Sequence, residues 1–188
     1  MLKGCNLAFL PQYNSKQFIQ LANNTSIGIE RGRYRLGAAS LPHVSICHFI
    51  LEEAHIESIW KQVQALAIPP VSLTFSTRKA KIYPPDSYCD VTQCGISLIP
   101  NNRDVLIKIH LQIANIIQKP LNAAFAHYDP HLTLFNSHDI EVCDRLNQAP
   151  ALHSPLKDTF VIALGGIDRI GQITHVLFTS TETNYVKN

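Results

Sequence analysis

No run of about 18 consecutive apolar residues occurs in the chain, so no segment reads as a membrane-spanning helix. The apolar stretch Leu7 to Leu10 stops at Pro11, which is too short for the core of a signal peptide. Leu2-Lys3-Gly4-Cys5 has the outline of a lipoprotein cleavage box, but no hydrophobic region stands before it. Charge of one sign is also lacking. Sixteen Lys and Arg against 14 Asp and Glu leave a net +2, too little for nucleic-acid binding by bulk electrostatics. Any such affinity must come from a local patch. The five cysteines (Cys5, Cys47, Cys89, Cys94 and Cys143) are odd in number and show no Cys-x-x-Cys spacing. That pattern favours free thiols in a reducing compartment, and a cytoplasmic protein is expected. Cys89 and Cys94 could pair, but only their nearness suggests it. A Gly-x-Ser-x-Gly elbow is missing, which counts against a serine hydrolase built on an α/β-hydrolase sheet. What is plentiful is ordinary core material: 46% of the 188 residues are hydrophobic, enough for one domain or two small lobes sharing a core.

The order of elements is repetitive. Gly4 to Leu10 reads as a strand, and Ser15 caps a helix through Phe18, Leu21 and Ala22. Residues 26 to 41 mix Gly28, Gly32 and Gly37 with Arg31, Arg33 and Arg35, and read as a loop or edge hairpin. A strand from His43 to Leu51 leads into a helix with Ile56, Ile59, Trp60, Val63 and Leu66 at helical spacing. Val71 to Tyr83 alternates like a half-buried strand, and Gly95 to Ile99 is another. Asn101 or Asn102 caps a helix striped by Leu106, Ile109, Ile113, Ile116 and Ile117. A strand from His131 to Phe135, a helix near Ile140 to Leu146, and strands Thr159 to Leu164 and Ile173 to Ser180 complete the chain. Strand, helix and further strands thus occur twice with no long linker, which implies an α+β fold.

One short pattern is doubled with them. Pro42-His43-Val44-Ser45-Ile46 recurs as Pro130-His131-Leu132-Thr133-Leu134. The alternation has the period of a strand, so His43 and Ser45 share one face while Val44 and Ile46 point into a core. His131 and Thr133 repeat the arrangement. Imidazole and hydroxyl would lie about 6–7 Å apart on each strand, and two such strands could line a single cleft. Such a set suits phosphodiester chemistry. Opening a cyclic phosphate needs one base and one acid, and histidine serves for either because its ordinary pKa of about 6.5 lies near working pH. Hydroxyls can donate to the non-bridging oxygens as charge develops.

The doubled His-x-(Ser/Thr)-x pattern resembles the signature of the 2H phosphoesterases, which include 2′-5′ RNA ligase-like proteins and cyclic nucleotide phosphodiesterases. The second copy, Tyr128-Asp129-Pro130-His131-Leu132-Thr133-Leu134, is closest to the extended form; the first has Ser45 where many members have threonine. The resemblance implies one domain over residues 1–188. It would have two similar lobes related by a pseudo-two-fold axis, with mainly antiparallel sheets, helices outside and the active-site groove between. It further implies a metal-independent phosphoesterase acting on a 2′,3′-cyclic phosphate or a 2′-5′-linked nucleotide or RNA end. His43 and His131 would be catalytic, and Ser45 and Thr133 would bind phosphate. No cofactor, no metal and no membrane partner are expected, and a monomer is. RNA-end 2′-5′ ligation, the reverse reaction, and a non-catalytic RNA or nucleotide binder on the same fold are the alternatives. A nucleophilic Ser45 is a further one.

Other residues are weaker candidates. Tyr128 stands where the family often places an aromatic near the phosphate or base, and could stack, donate its hydroxyl or simply pack. Arg31, Arg33 and Arg35 could hold outlying phosphates or be solvated loop charge. Arg78, Lys79 and Lys81 form a second patch. His48, five residues past His43, faces away from the site on a regular strand, whereas Cys47 shares the Ser45 face and either borders the cleft or serves as a small buried filler. His127 could line the cleft, His153 falls in a loop, and His55, His110 and His138 read as solvated. A metal site from His43, His48, His127 and His131 has no carboxylate or cysteine at ligand-like spacing beside it.

Overall fold

The computed structural model describes residues 1–30, 32, 34–37, 39–85, 90–117 and 128–181. Among the described residues seven strands and four α-helices follow one another. In order they are β1 (Leu2–Pro11), α1 (Ser15–Thr25), β2 (Val44–Glu52), α2 (Ile56–Ala65), β3 (Val71–Tyr83) and β4 (Gln93–Pro100). Then come α3 (Arg103–Ala114), β5 (Leu132–Ser137), α4 (Glu141–Gln148), β6 (Ala151–Ile167) and β7 (Ile173–Thr179). All pairings are antiparallel, and the path through the sheet is β2-β1-β6-β3-β4-β5, with β7 also on β6. The α+β class follows.

The two lobes share β6. Its residues Ala151 to Phe160 pair with β3, and Phe160 to Gly166 pair with β1, with β7 alongside Ala163 to Ile167. One lobe is therefore β2-β1-β6-β7 and the other β5-β4-β3-β6, each ending on a motif strand. The sheet curls far enough for β2 and β5 to touch. The helix before each motif strand crosses to the opposite lobe: α1 packs on β5, and α3 on β2.

Hydrophobic spacing accounts for most of this. Val71, Leu73 and Phe75 are buried on β3, while Ser72, Thr74 and Ser76 are not. Leu106, Ile109 and Ile113 bury one face of α3. At the centre Phe18 stands edge-on to Phe75 and Phe160, with centroids 5.6 and 5.9 Å apart, a favoured aromatic geometry. Trp60 of α2 stacks on Phe178 of β7.

Three sequence expectations need correction. The strand expected from Thr159 starts at Ala151, so His153 lies on a strand and not in a loop. Its first half is largely exposed, with Leu152 and Leu156 half-buried against the core, and the register with β3 breaks between Leu156 and Ala151, around Pro155. Ser15 is the first helical residue and not the cap; Asn14 holds that place without a side-chain cap bond. Cys94 of β4 and Cys143 of α4, expected as free thiols, are joined as a disulfide across 49 residues. Folding brings β4 and α4 together, which no spacing in the chain reveals. Cys5 and Cys47 are buried thiols, and Cys89 lies outside the described residues. Among the described residues no helix is long and apolar enough to cross a membrane.

Candidate active site

Each motif histidine is anchored in the same way. His43 Nδ1 donates to the carbonyl of Leu41 at 2.7 Å, and His131 Nδ1 donates to the carbonyl of Asp129, also at 2.7 Å. A carbonyl can only accept, so in both rings the proton of the neutral form sits on Nδ1. Nε2 is then the atom left for chemistry. A proline separates each histidine from the residue whose carbonyl holds it. The anchor is thus part of the doubled sequence.

The strands then do something that regular alternation does not predict. Between β1 and β2 the register runs Leu7 to Cys47 but Ala8 to Ser45, leaving Ile46 as an extra residue. Between β4 and β5 it runs Ile96 to Phe135 but Ser97 to Thr133, leaving Leu134 extra. Both are β-bulges, and each lies three residues past the histidine. One added residue reverses the faces downstream. His48, expected to face away, therefore joins the site: its Nε2 lies 3.2 Å from Ser45 Oγ. Cys47 does not border the cleft; it serves as the small buried filler, and burial raises its thiol to about 12. In the second lobe the same shift brings Asn136 to a smaller cavity that also holds His131 and Thr133.

His43, Ser45, His48, His131 and Thr133 line one cleft of about 460 Å³. Lys81, Tyr83, His110, Tyr128, Asp129 and Gln172 complete its walls. His43 is buried, and burial is the main reason its pKa falls to about 4; the Leu41 carbonyl works against this and the nearby His131 adds to it. His48 is also held at about 4, by burial first and then by His43 and His131. Both rings are neutral at pH 7. Ser45 Oγ accepts from Asn6 Nδ2 at 2.9 Å and shares a second hydrogen bond with His48 Nε2 at 3.2 Å.

Groups from the other lobe hold the first bulge. Tyr128 donates its hydroxyl to the Ser45 carbonyl at 2.8 Å, and His110 Nδ1 donates to the Ile46 carbonyl at 2.9 Å. The two rings stack with centroids 4.0 Å apart. His110, expected to be solvated, is buried, and Tyr128 spends its hydroxyl on backbone. The turn between β6 and β7 covers the far side. There Asp168 Oδ1 accepts from the Ile170 and Gln172 amides, and Gly171, at φ +83°, lies against His48. A Cβ at Gly171 would come within 2.9 Å of that ring, so glycine serves both the turn and the close approach.

Asp129 forms ion pairs with Arg103 and Lys79 at the rim. Lys79 and Lys81 border the cleft and its extension over β4. Arg78 alternates away and donates to the Ala149 carbonyl. Arg35 pairs in backbone with Phe135 on the edge of β5 and does not line the cleft. Arg31, Arg33 and His127 lie outside the described residues.

No family model matches the chain, and no curated protein matches it in sequence. Solved structures do match in fold. Kluyveromyces marxianus Usb1 superposes with a TM-score of 0.50 at 15% identity, over 93% of this chain and 96% of that one, in a structure with uridine monophosphate. A second Usb1 structure from the same organism gives 0.50 and 15% over 95% of this chain. The chain shares the Usb1 fold. At this identity the likeness extends to architecture, and function has to be argued from the residues.

Proposed function

We propose that the chain is a metal-independent 2H-type phosphoesterase, opening a 2′,3′-cyclic phosphate or cleaving a 2′-5′-linked nucleotide or RNA end. The observation that carries this reading is the pair of histidines on one cleft, each with Nδ1 bound to a backbone carbonyl and Nε2 left for the substrate. In the hydrolytic direction His43, held neutral, takes the proton of the attacking water on Nε2. Water oxygen bonds to phosphorus as the bond to the ribose oxygen breaks, and protonated His131 gives that oxygen its proton. Thr133 donates to a non-bridging oxygen, and the Ser45 hydroxyl, on the same cleft, does the same. Tyr128 supports Ser45 from behind, and Arg31, Arg33 and Arg35 remain candidates for phosphates of a longer strand. The Usb1-like fold, in a relative solved with a nucleotide, supports a nucleotide or RNA-end substrate.

Incubation with 2′,3′-cyclic nucleotides and 2′-5′ oligonucleotides in EDTA tests the proposal. His43→Ala and His131→Ala should each lower kcat by about 10²–10⁴, with the double variant far from additive. Activity abolished by EDTA and restored by zinc or manganese refutes it. One observation favours a covalent route: the Ser45 hydroxyl lies on the neutral His48 imidazole, as an activated nucleophile would. A phosphoryl adduct on Ser45, seen by mass spectrometry, would establish that route.

A further inference from the structure

Beside the histidine cleft, and continuous with it through His131, Thr133 and Gln172, lies a second cavity of about 250 Å³. Its size suits one heterocycle and not an extended chain. Tyr83 forms an aromatic wall. Gly95 makes this possible, because a Cβ there would stand 2.6 Å from the Tyr83 ring. The ring therefore lies against bare backbone, with the Lys81 ammonium 5.3 Å from its centroid.

The polar groups of this cavity are paired in an unusual way. Asn136 Nδ2 donates to Gln93 Oε1 at 3.0 Å. That bond fixes both amides and leaves Asn136 Oδ1 as an acceptor beside Gln93 Nε2 as a donor. Neither atom bonds to another described residue, and neither is among the sealed polar atoms of the interior. Gln172 also lines the cavity.

We propose that this cavity is a nucleobase-reading subsite, in which Asn136 and Gln93 meet the hydrogen-bonding edge of a base stacked on Tyr83. The proposal rests on the phosphoesterase reading only for the neighbouring ribose phosphate. The Asn136 acceptor oxygen would repel a second phosphate, and a hydrocarbon would leave both amide groups unmatched. Every base presents an N–H beside an acceptor on its pairing edge, which the Asn136 and Gln93 pair complements. Aromatic stacking contributes the non-specific part of the affinity. The subsite adjoins His131 and Thr133, so the base would belong to the nucleotide that carries the reacting phosphate.

Equilibrium binding tests this without requiring turnover. The full chain is titrated by calorimetry with the 3′-monophosphates of uridine, adenosine and guanosine, with 3-methyluridine 3′-monophosphate, and with base-free ribose 3-phosphate. At least one nucleotide should bind more tightly than ribose phosphate. Asn136→Leu and Gln93→Leu should each weaken that nucleotide by roughly five- to ten-fold and leave ribose phosphate unchanged. If uridine is accepted, blocking its N3–H should cost the wild type a similar factor and cost Asn136→Leu nothing. Equal affinity for ribose phosphate and every nucleotide overturns the proposal. So does an equal loss on ribose phosphate in the variants, which would mark a merely structural pair. Base contrast without any hydrolysis retires the catalytic reading and keeps the subsite; hydrolysis without base contrast does the reverse.

Discussion

Acidification should strip stability from this fold through a buried histidine that its own site keeps neutral. His43 titrates at about 4 in the native state against an ordinary value of 6.5. Below about pH 6.5 the unfolded chain takes up a proton there, while the native chain refuses it until about pH 4. The contribution is therefore complete above pH 6.5 and is lost as the pH falls toward 4. At pH 4.5 the linkage amounts to about 2.5 kcal/mol, out of a typical total of 5–15 kcal/mol. His48 acts in the same direction over the same window, so the wild-type loss should exceed the His43 share. The groups with electrostatic influence on His43 are His131, which lowers its pKa further, and Asp168, which opposes the shift. His43→Gln keeps a polar side chain and removes the titration. Urea unfolding from pH 7.5 to 4.5 at fixed ionic strength can be followed by fluorescence of Trp60, the single tryptophan, which is buried. Wild type should lose about 2.5 kcal/mol more than His43→Gln over that range. Parallel curves would show that His43 is not desolvated in the native state and would remove the basis for its role as a neutral base.

Cys143→Ser should lower Tm, because the Cys94–Cys143 bond closes a loop of 49 residues. Chain entropy alone puts its worth near 4 kcal/mol, and calorimetry with and without reductant reads it; an unchanged Tm would mean the sulfurs are not bonded in solution. Tyr128→Phe should cost about 1–2 kcal/mol by leaving the Ser45 carbonyl without its donor, and should lower kcat through Ser45 and His48. Full activity at lowered stability would separate support of the bulge from catalysis.

Much of this architecture could be read from hydrophobic spacing. Strand β3, helices α2 and α3 and both motif strands lie where alternation or helical stripes put them, because those segments bury one face against a core. The first half of β6 escaped because it is largely exposed, contains Pro155 and sets the half-buried Leu152 and Leu156 against the core four residues apart, a spacing that does not mark a strand. The Cys94–Cys143 pair and the stack of His110 on Tyr128 join residues distant in sequence, and only the folded path brings them together.

The bulges differ from these, since their trace was present in the chain. On an unbroken strand, residues five apart can never share a face, so His48 with His43 and Asn136 with His131 are forbidden pairs. A bulge shows itself as two consecutive buried residues where alternation demands one. Ser45-Ile46-Cys47-His48 and Thr133-Leu134-Phe135-Asn136 both read hydroxyl, apolar, apolar, polar. All four of those central residues are buried. A single break of this kind would be an accident of packing. The same break at the same distance from both histidines means that each lobe turns a third polar group toward the cleft or the cavity beside it. In one lobe that group is an imidazole bonded to Ser45. In the other it is an amide locked to Gln93, turned toward the space where a base would lie. On the proposed reading, the two halves of the site would use one backbone device for different ends, acid–base chemistry beside Ser45 and recognition beside Thr133.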